Sequence, residues 1–309
     1  MTQYLRQGSL RFAPGYKLQT RWGRTEAAVF TLECAGAPLA AAAAGFGGPR
    51  TPLVLGLAMV AAAIALLLWH LGHPRRAWLA MTNLRHSWIS RGTVALGAFA
   101  AAGLLFLVLD LQSAPGESPA TMAGLRWVLG LLAIFIAMYP GLVLSASPAI
   151  PLWSSGLLPV LSLLQGASGA ALAALALGAG FGAPAAAGLL WVALSLLGAL
   201  AVALALYLGT MLRRGGAGAE SARYMLRRQP FLFLLAGCAI GIALPLALLA
   251  WAMMGAGSSA AGAIATAGGP TGLAEIATPL LGAAALARLG GDFALRTALL
   301  EAAMFDSVV

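Results

Sequence analysis

The strongest constraint on this chain is a series of apolar blocks, each about twenty residues or longer and almost free of charge. Residues 53–72 and 185–211, for instance, contain no Asp, Glu, Lys or Arg. A block of that length crosses the roughly 30 Å hydrocarbon core of a bilayer as a single α-helix, whereas a soluble helix shows only an apolar stripe. Eight spans are read, at about 27–47, 53–72, 93–112, 122–146, 152–177, 185–211, 229–254 and 274–300. The expected fold is therefore an all-α integral membrane protein with about eight transmembrane helices. Composition agrees: 61% of the 309 residues are hydrophobic and 9% are charged, against about 25% charged in soluble domains. The 39 glycines and many alanines suit helix packing in lipid, where small residues let backbones approach closely. The expected division is an N-terminal segment 1–26, a transmembrane domain 27–300 and a tail 301–309. Residues 1–25 are polar and make too long a head for a signal peptide, so the first span is expected to be retained.

The formal charge of +9 could suggest a nucleic-acid partner, but the basic residues form short clusters between the apolar blocks. They read as topology determinants, with the lipid bilayer as the partner and no nucleic acid. An even number of spans puts both termini and the loops at about 73–92, 147–151 and 212–228 on one side, called side A. Of the 18 basic residues, only Arg50 and Arg126 fall on the other side, when Arg288 and Arg296 of the last span are counted with side A. The positive-inside rule then makes side A, and both termini, cytoplasmic. The expected location is a bacterial inner membrane.

His70, His73 and His86 lie within 17 residues, and a haem held inside the membrane would usually need histidines from facing helices. Cys34 and Cys238 sit in separate apolar blocks and cannot supply the four thiolates of an iron–sulfur cluster. The chain is thus expected to hold no haem, no iron–sulfur cluster and no metal. His73 and His86 read most simply as solvated loop residues. His70 ends an apolar span, where a neutral imidazole can both donate to and accept from a ligand.

Ionisable groups within spans are costly and usually functional. Glu33 lies about 8 residues into the first span from side A, roughly 12 Å at 1.5 Å per residue, and Tyr139 lies at similar depth in the fourth. Asp292 is spaced i,i+4 from both Arg288 and Arg296, so the three share one helix face and can pair. Two readings stand. One is a polar pocket opening towards side A, with Glu33, Asp292, Arg288 and Arg296 forming a proton path; the other is a purely structural ion-pair cluster. Tyr139-Pro140-Gly141 and Ser147-Pro148-Ala149-Ile150-Pro151 interrupt the fourth and fifth spans near side A, either as kinks opening a cavity or, for the second, as a tight turn between antiparallel helices.

The segment His70-Leu71-Gly72-His73-Pro74-Arg75-Arg76-Ala77-Trp78, followed by Ser87-Trp88-Ile89-Ser90-Arg91-Gly92, resembles the NrfD/PsrC and DmsC group of membrane subunits. Their signature is His/Asp-Leu-Gly-x-Pro-x-Arg closing the second helix, then Ser-Trp-x-Ser-Arg opening the third. The stretch Tyr139-Pro140-Gly141-Leu142-Val143-Leu144-Ser145-Ala146-Ser147-Pro148-Ala149-Ile150-Pro151-Leu152-Trp153 is similar to a second family element, and Gly290-Gly291-Asp292-Phe293-Ala294-Leu295-Arg296 to a late one. Gly92 departs from the Glu common in the DmsC branch, which favours NrfD/PsrC and puts any proton role at this position in doubt.

The resemblance implies two four-helix bundles and a quinone, menaquinone or ubiquinone, bound near a partner. The partners implied are a four-cluster iron–sulfur subunit and a molybdopterin catalytic subunit. Carried over by position, His70, Arg76 and Tyr139 match family residues at the quinone pocket, and Glu33 is added as the start of a proton route. Docking of the iron–sulfur partner is expected on the loop carrying Arg75, Trp78, Arg85, Trp88 and Arg91, a composition typical of interfaces; binding of lipid headgroups is the other reading. A cytoplasm-facing complex suits quinone reduction, as in phenylacetyl-CoA or sulfite dehydrogenase types. The alternatives are a quinol-oxidising anchor of a polysulfide/DMSO-type reductase, a secondary transporter and a passive assembly scaffold.

Overall fold

The computed structural model describes residues 16–47, 49–70, 74–113, 120–177, 183–254 and 272–306. The expectations for Arg6, Arg11 and His73, and for Leu71 and Gly72 of the first motif, lie outside the described residues. The helices are α1 (Arg24–Phe46), α2 (Arg50–His70), α3 (Trp88–Gln112), α4 (Ala120–Ser145), α5 (Leu157–Leu177), α6 (Ala183–Arg214) and α7 (Gly216–Arg228). A π-helical segment (Phe231–Ala243) then runs into α8 (Leu244–Met254), and α9 (Gly272–Glu301) follows. A short 3-10 helix, Pro74–Met81, leads towards α3.

Seven of these are long and apolar enough to cross a membrane: α1 to α6 and the joined π–α8 helix. The protein is therefore a multi-pass membrane protein. The last helix, α9, carries Arg288, Asp292 and Arg296 among apolar residues, and it packs against α1, α5 and the π-helical segment. Apart from α7, the helices form two sets of four, consecutive in the chain, that also pack extensively on each other. In the first, α1 packs on α2 and α4, and α3 on α2 and α4. In the second, α5 packs on α6 and α9, and the π–α8 helix on α9 and α6. The seam between the groups is α1 against α5 and α9, and α4 against α5. Outward faces stay apolar, with Leu104, Leu105 and Val108 of α3 and Val202 and Leu206 of α6 exposed, as a lipid-facing surface requires.

Both ends of the described chain meet on side A. Strand β1 (Lys17–Leu18) pairs antiparallel with β2 (Met304–Phe305), Lys17 opposite Phe305 and Leu18 opposite Met304. This pairing joins the chain before α1 to the chain after α9, so the number of crossings between them is even. The Gln19 side chain reinforces it, donating to the Trp22 and Leu300 carbonyls at 2.6 Å each. Trp153 Nε1 donates to the Leu299 carbonyl at 3.2 Å, and the Asp306 amide to Ala149 at 3.1 Å. At the opposite face Arg50 clamps the start of α2 to the end of α3 through Asp110 Oδ2 at 2.6 Å.

Two expectations change and one open choice is decided. Residues 216–228, read as part of a loop, form α7, whose Ala217, Ala219, Ala222 and Met225 are buried. A run of Gly and Ala resembles a linker until a surface is available for the small face. Residues 147–151 are a tight turn, with Ile150 N–H bonded to Ser147 at 3.2 Å and Trp153 N–H to Ile150 at 2.9 Å, while α4 runs through Pro140 to Ser145. Arg288 and Arg296 are buried inside the bundle, so they leave the side-A charge count, whose asymmetry survives without them.

Candidate functional site

Glu33 belongs to two polar clusters, one running along the seam from its side-A half to the middle of the bundle, the other at the side-A ends of α1 to α4. In α1 Glu33 is fully buried, and neither carboxylate oxygen has a hydrogen-bond partner among the described residues. It interacts electrostatically with Arg296 of α9 on one side and with Tyr139 of α4 on the other.

The inner cluster is built on α9. Arg296 Nε donates to Asp292 Oδ2 at 3.0 Å, and Arg288 Nη2 stands 3.6 Å from Asp292 Oδ1. The i,i+4 spacing read from the sequence places all three on one face, as expected. That face meets the polar stripe of α5: Arg296 Nη1 donates to Ser162 Oγ at 3.1 Å and Arg288 Nε to Ser168 Oγ at 2.9 Å, while Arg288 Nη2 reaches the Gln165 carbonyl at 3.4 Å. Arg288 Nη1 donates to the Gly241 carbonyl at 3.3 Å. Gly241 belongs to the π-helical segment, where the Leu244 N–H bonds back to the Ala239 carbonyl, and the arginine adds a side-chain donor to the Gly241 carbonyl. Ser168 is the twelfth of the 21 residues of α5, so Arg288 lies near the middle of the bundle and deeper than the side-A half in which the sequence placed it.

The outer cluster surrounds Tyr139 at the side-A ends of α1 to α4. Tyr139 packs with Val29, Phe30, Ala63 and Val143, flanked by Trp22, Trp88 and Phe135. No hydrogen bond engages its hydroxyl among the described residues. The ring lies so close to Gly92 of α3 that a Cβ there would overlap Cε2 and Cζ, a physical reason for glycine at the position that departs from the DmsC pattern. His70 closes α2 with its side chain 61% exposed, Nε2 3.4 Å from Glu26 Oε1 of α1.

Of the docking residues, Arg75, Arg85 and Trp78 are exposed, as is Arg76, which the resemblance assigns to the quinone pocket. Arg91 is committed to its own loop: it stacks 4.5 Å over the Trp88 ring and donates to the Leu84 and Arg85 carbonyls at 2.9 and 2.8 Å. A cavity of about 30 Å³, room for about two waters, opens beside Arg296 and is lined by Phe30, Ser162, Gln165, Tyr207 and Met225 among others. Tyr139 and His70 do not line it.

Sequence reasoning missed Ser162, Gln165 and Ser168, although their spacing of three in an otherwise apolar span is a polar stripe on one helical face. It also missed Glu26, which looks like an ordinary first-turn carboxylate. No set of three or more His, Cys, Asp or Glu side chains able to hold a metal is found among the described residues.

Fold and site together define an all-helical, multi-pass membrane protein whose buried charges gather where two four-helix groups meet. The chain belongs to the NrfD family: the family model described as polysulphide reductase, NrfD, matches residues 35–267. This family supplies the membrane anchor subunits of complexes with molybdoenzyme and iron–sulfur subunits, and its members interact with quinones. The matched stretch contains His70, Arg76 and Tyr139, while Glu33 and the charges of α9 fall outside it. Among curated proteins, none matches the chain.

Proposed function

We propose that this chain is the quinone-reactive anchor of a bacterial inner-membrane oxidoreductase, passing electrons from a partner iron–sulfur subunit to the quinone pool. The observation that carries the reading is the pairing of two unpartnered polar groups at the side-A ends of α1 to α4. The Tyr139 hydroxyl stands in an aromatic and apolar setting, and the Glu33 carboxyl lies buried within its electrostatic reach. A ring with carbonyl oxygens needs just such apolar walls and a donor, and its reduction needs protons. Tyr139 and His70 hydrogen-bond the quinone oxygens, Arg76 guards the entrance, and Glu33 relays protons with the Arg296, Asp292 and Arg288 set behind it. Arg75, Trp78, Arg85, Trp88 and Arg91 form the docking side for the iron–sulfur subunit, with a molybdopterin subunit beyond it. The basic asymmetry supports a cytoplasmic side A and hence quinone reduction by an enzyme of the phenylacetyl-CoA or sulfite dehydrogenase type.

Loss of one hydrogen bond to the ring is worth about 0.5–1.5 kcal/mol. Tyr139→Phe and His70→Ala are therefore each expected to slow quinone-coupled turnover about two- to tenfold, while the partner's activity with an artificial dye stays normal. Normal quinone-dependent rates in both variants, in fully assembled complex, would place the pocket elsewhere. Gly92→Ala tests the same site from the other side. The added methyl would overlap the buried Tyr139 ring rather than backbone, so the ring must shift, and in assembled complex its displacement should lower quinone turnover several-fold. Unchanged turnover in that variant would show that the ring position does not matter.

A further inference from the structure

Glu26 is doing two things at the start of α1. One carboxylate oxygen, Oε2, accepts the Gly23 N–H at 2.7 Å, the half of a capping box that the N3 carboxylate supplies. Capping needs only one acceptor, and Gln serves as well as Glu at this position. The other oxygen, Oε1, crosses to α2 and stands 3.4 Å from His70 Nε2. Arg24, two residues before Glu26 in sequence, faces Glu301 instead, with its Nε 3.6 Å from Glu301 Oε1. Glu26 is itself mostly buried, with its side chain 20% exposed, whereas His70 is largely open.

We infer that Glu26 is the positioning residue for His70, facing the imidazole at Nε2 so that Nδ1 meets the quinone oxygen, as a donor to the quinone when the ring carries two protons and as an acceptor from the quinol hydroxyl when it carries one. A carboxylate beside one ring nitrogen keeps the proton on that nitrogen and fixes both tautomer and ring orientation, a role such partners play for ligand-binding histidines in general. Its anchorage to the Gly23 amide makes the carboxylate a rigid reference point on α1. The ring at the end of α2 is thereby aligned against the helix that also carries Glu33. This rests on the reading that His70 contacts the quinone.

The test is a pair of variants and their combination, assayed in the assembled complex with a short-chain quinone. Glu26→Gln retains a cap acceptor and removes the charge facing His70. Because Glu26 acts through His70, KM for the quinone should rise by a factor within the roughly two- to tenfold expected of His70→Ala, with a smaller change in kcat; KM is independent of how much complex assembles. In a His70→Ala background, Glu26→Gln should add nothing. A normal KM for Glu26→Gln beside a raised KM for His70→Ala would overturn the inference while leaving the quinone reading intact. So would an equal loss from Glu26→Gln in both backgrounds. A normal KM for His70→Ala would overturn the quinone role of His70 and the inference with it.

Discussion

Asp292→Ala is expected to leave little or no folded protein in the membrane. The substitution removes the one carboxylate that both Arg288 and Arg296 face, at 3.6 and 3.0 Å, in a place where all three side chains are nearly inaccessible. Breaking a buried pair by deleting one partner costs about 3–5 kcal/mol, because a charge is stranded in low dielectric. Here two are stranded, side by side on one helix face, with only Glu33 left to oppose them. Replacing the whole set, as Arg288→Met, Asp292→Leu and Arg296→Met together, strands no charge within α9, and exchanges of that kind are often neutral or better. The triple variant should accumulate far better than Asp292→Ala, yet fail in quinone-coupled turnover if the set relays protons. Membrane yield and thermal unfolding in detergent are the measurements. Wild-type yield and melting for Asp292→Ala would mean that the cluster does not hold α9 in place.

The second large effect is expected at Gly291. Its missing Cβ is what lets α9 lie directly on the π-helical segment: a methyl there would overlap the Gly241 Cα and come within 2.9 Å of the Gly241 nitrogen and 3.1 Å of the Ala236 carbonyl. All three are backbone atoms. No rotamer change can relieve the overlap, so the two helices must separate, and the Arg288 bond to the Gly241 carbonyl at 3.3 Å goes with them. Overpacking typically costs about 1–3 kcal/mol even where side chains can yield, so Gly291→Ala should lie at or above that range and lower the melting temperature by several degrees. The adjacent Gly290 provides the control, since nothing lies within 4 Å of its would-be Cβ and Gly290→Ala should be neutral or slightly stabilising. Equal melting temperatures for the two variants would refute the argument.

These cases differ in how far the sequence alone could have led. The i,i+4 spacing of Arg288, Asp292 and Arg296 was legible because the helical period is fixed by covalent geometry, and any helix through residues 288–296 puts them on one face. The Gly290-Gly291 pair was visible too, but which glycine faces another helix was not. That choice depends on the rotation of α9 about its axis, which only its neighbours set. The stripe Ser162, Gln165 and Ser168 could be seen as polar positions in an apolar span, but not as the acceptors of two particular arginines some 120 to 134 residues away in sequence.

What the sequence by itself determined is the class: blocks long and apolar enough to cross a bilayer can only be helices there, since every backbone polar group must be satisfied within its own segment. It also determined the family resemblance, and it singled out His70, Arg76 and Tyr139 as candidates because these stand in short motifs that local order preserves. Only the tertiary structure decided that residues 147–151 turn rather than open a cavity, and that 216–228 is a helix. It alone paired β1 with β2, placed Arg288 near the middle of the bundle, and turned Glu26 towards His70. Each of these is a relation between elements distant in the chain or packed against a surface not yet formed. In lipid the hydrophobic force does not choose between helix faces. The choice falls to close-packed glycines and a few buried hydrogen bonds, whose partners are named only by the fold.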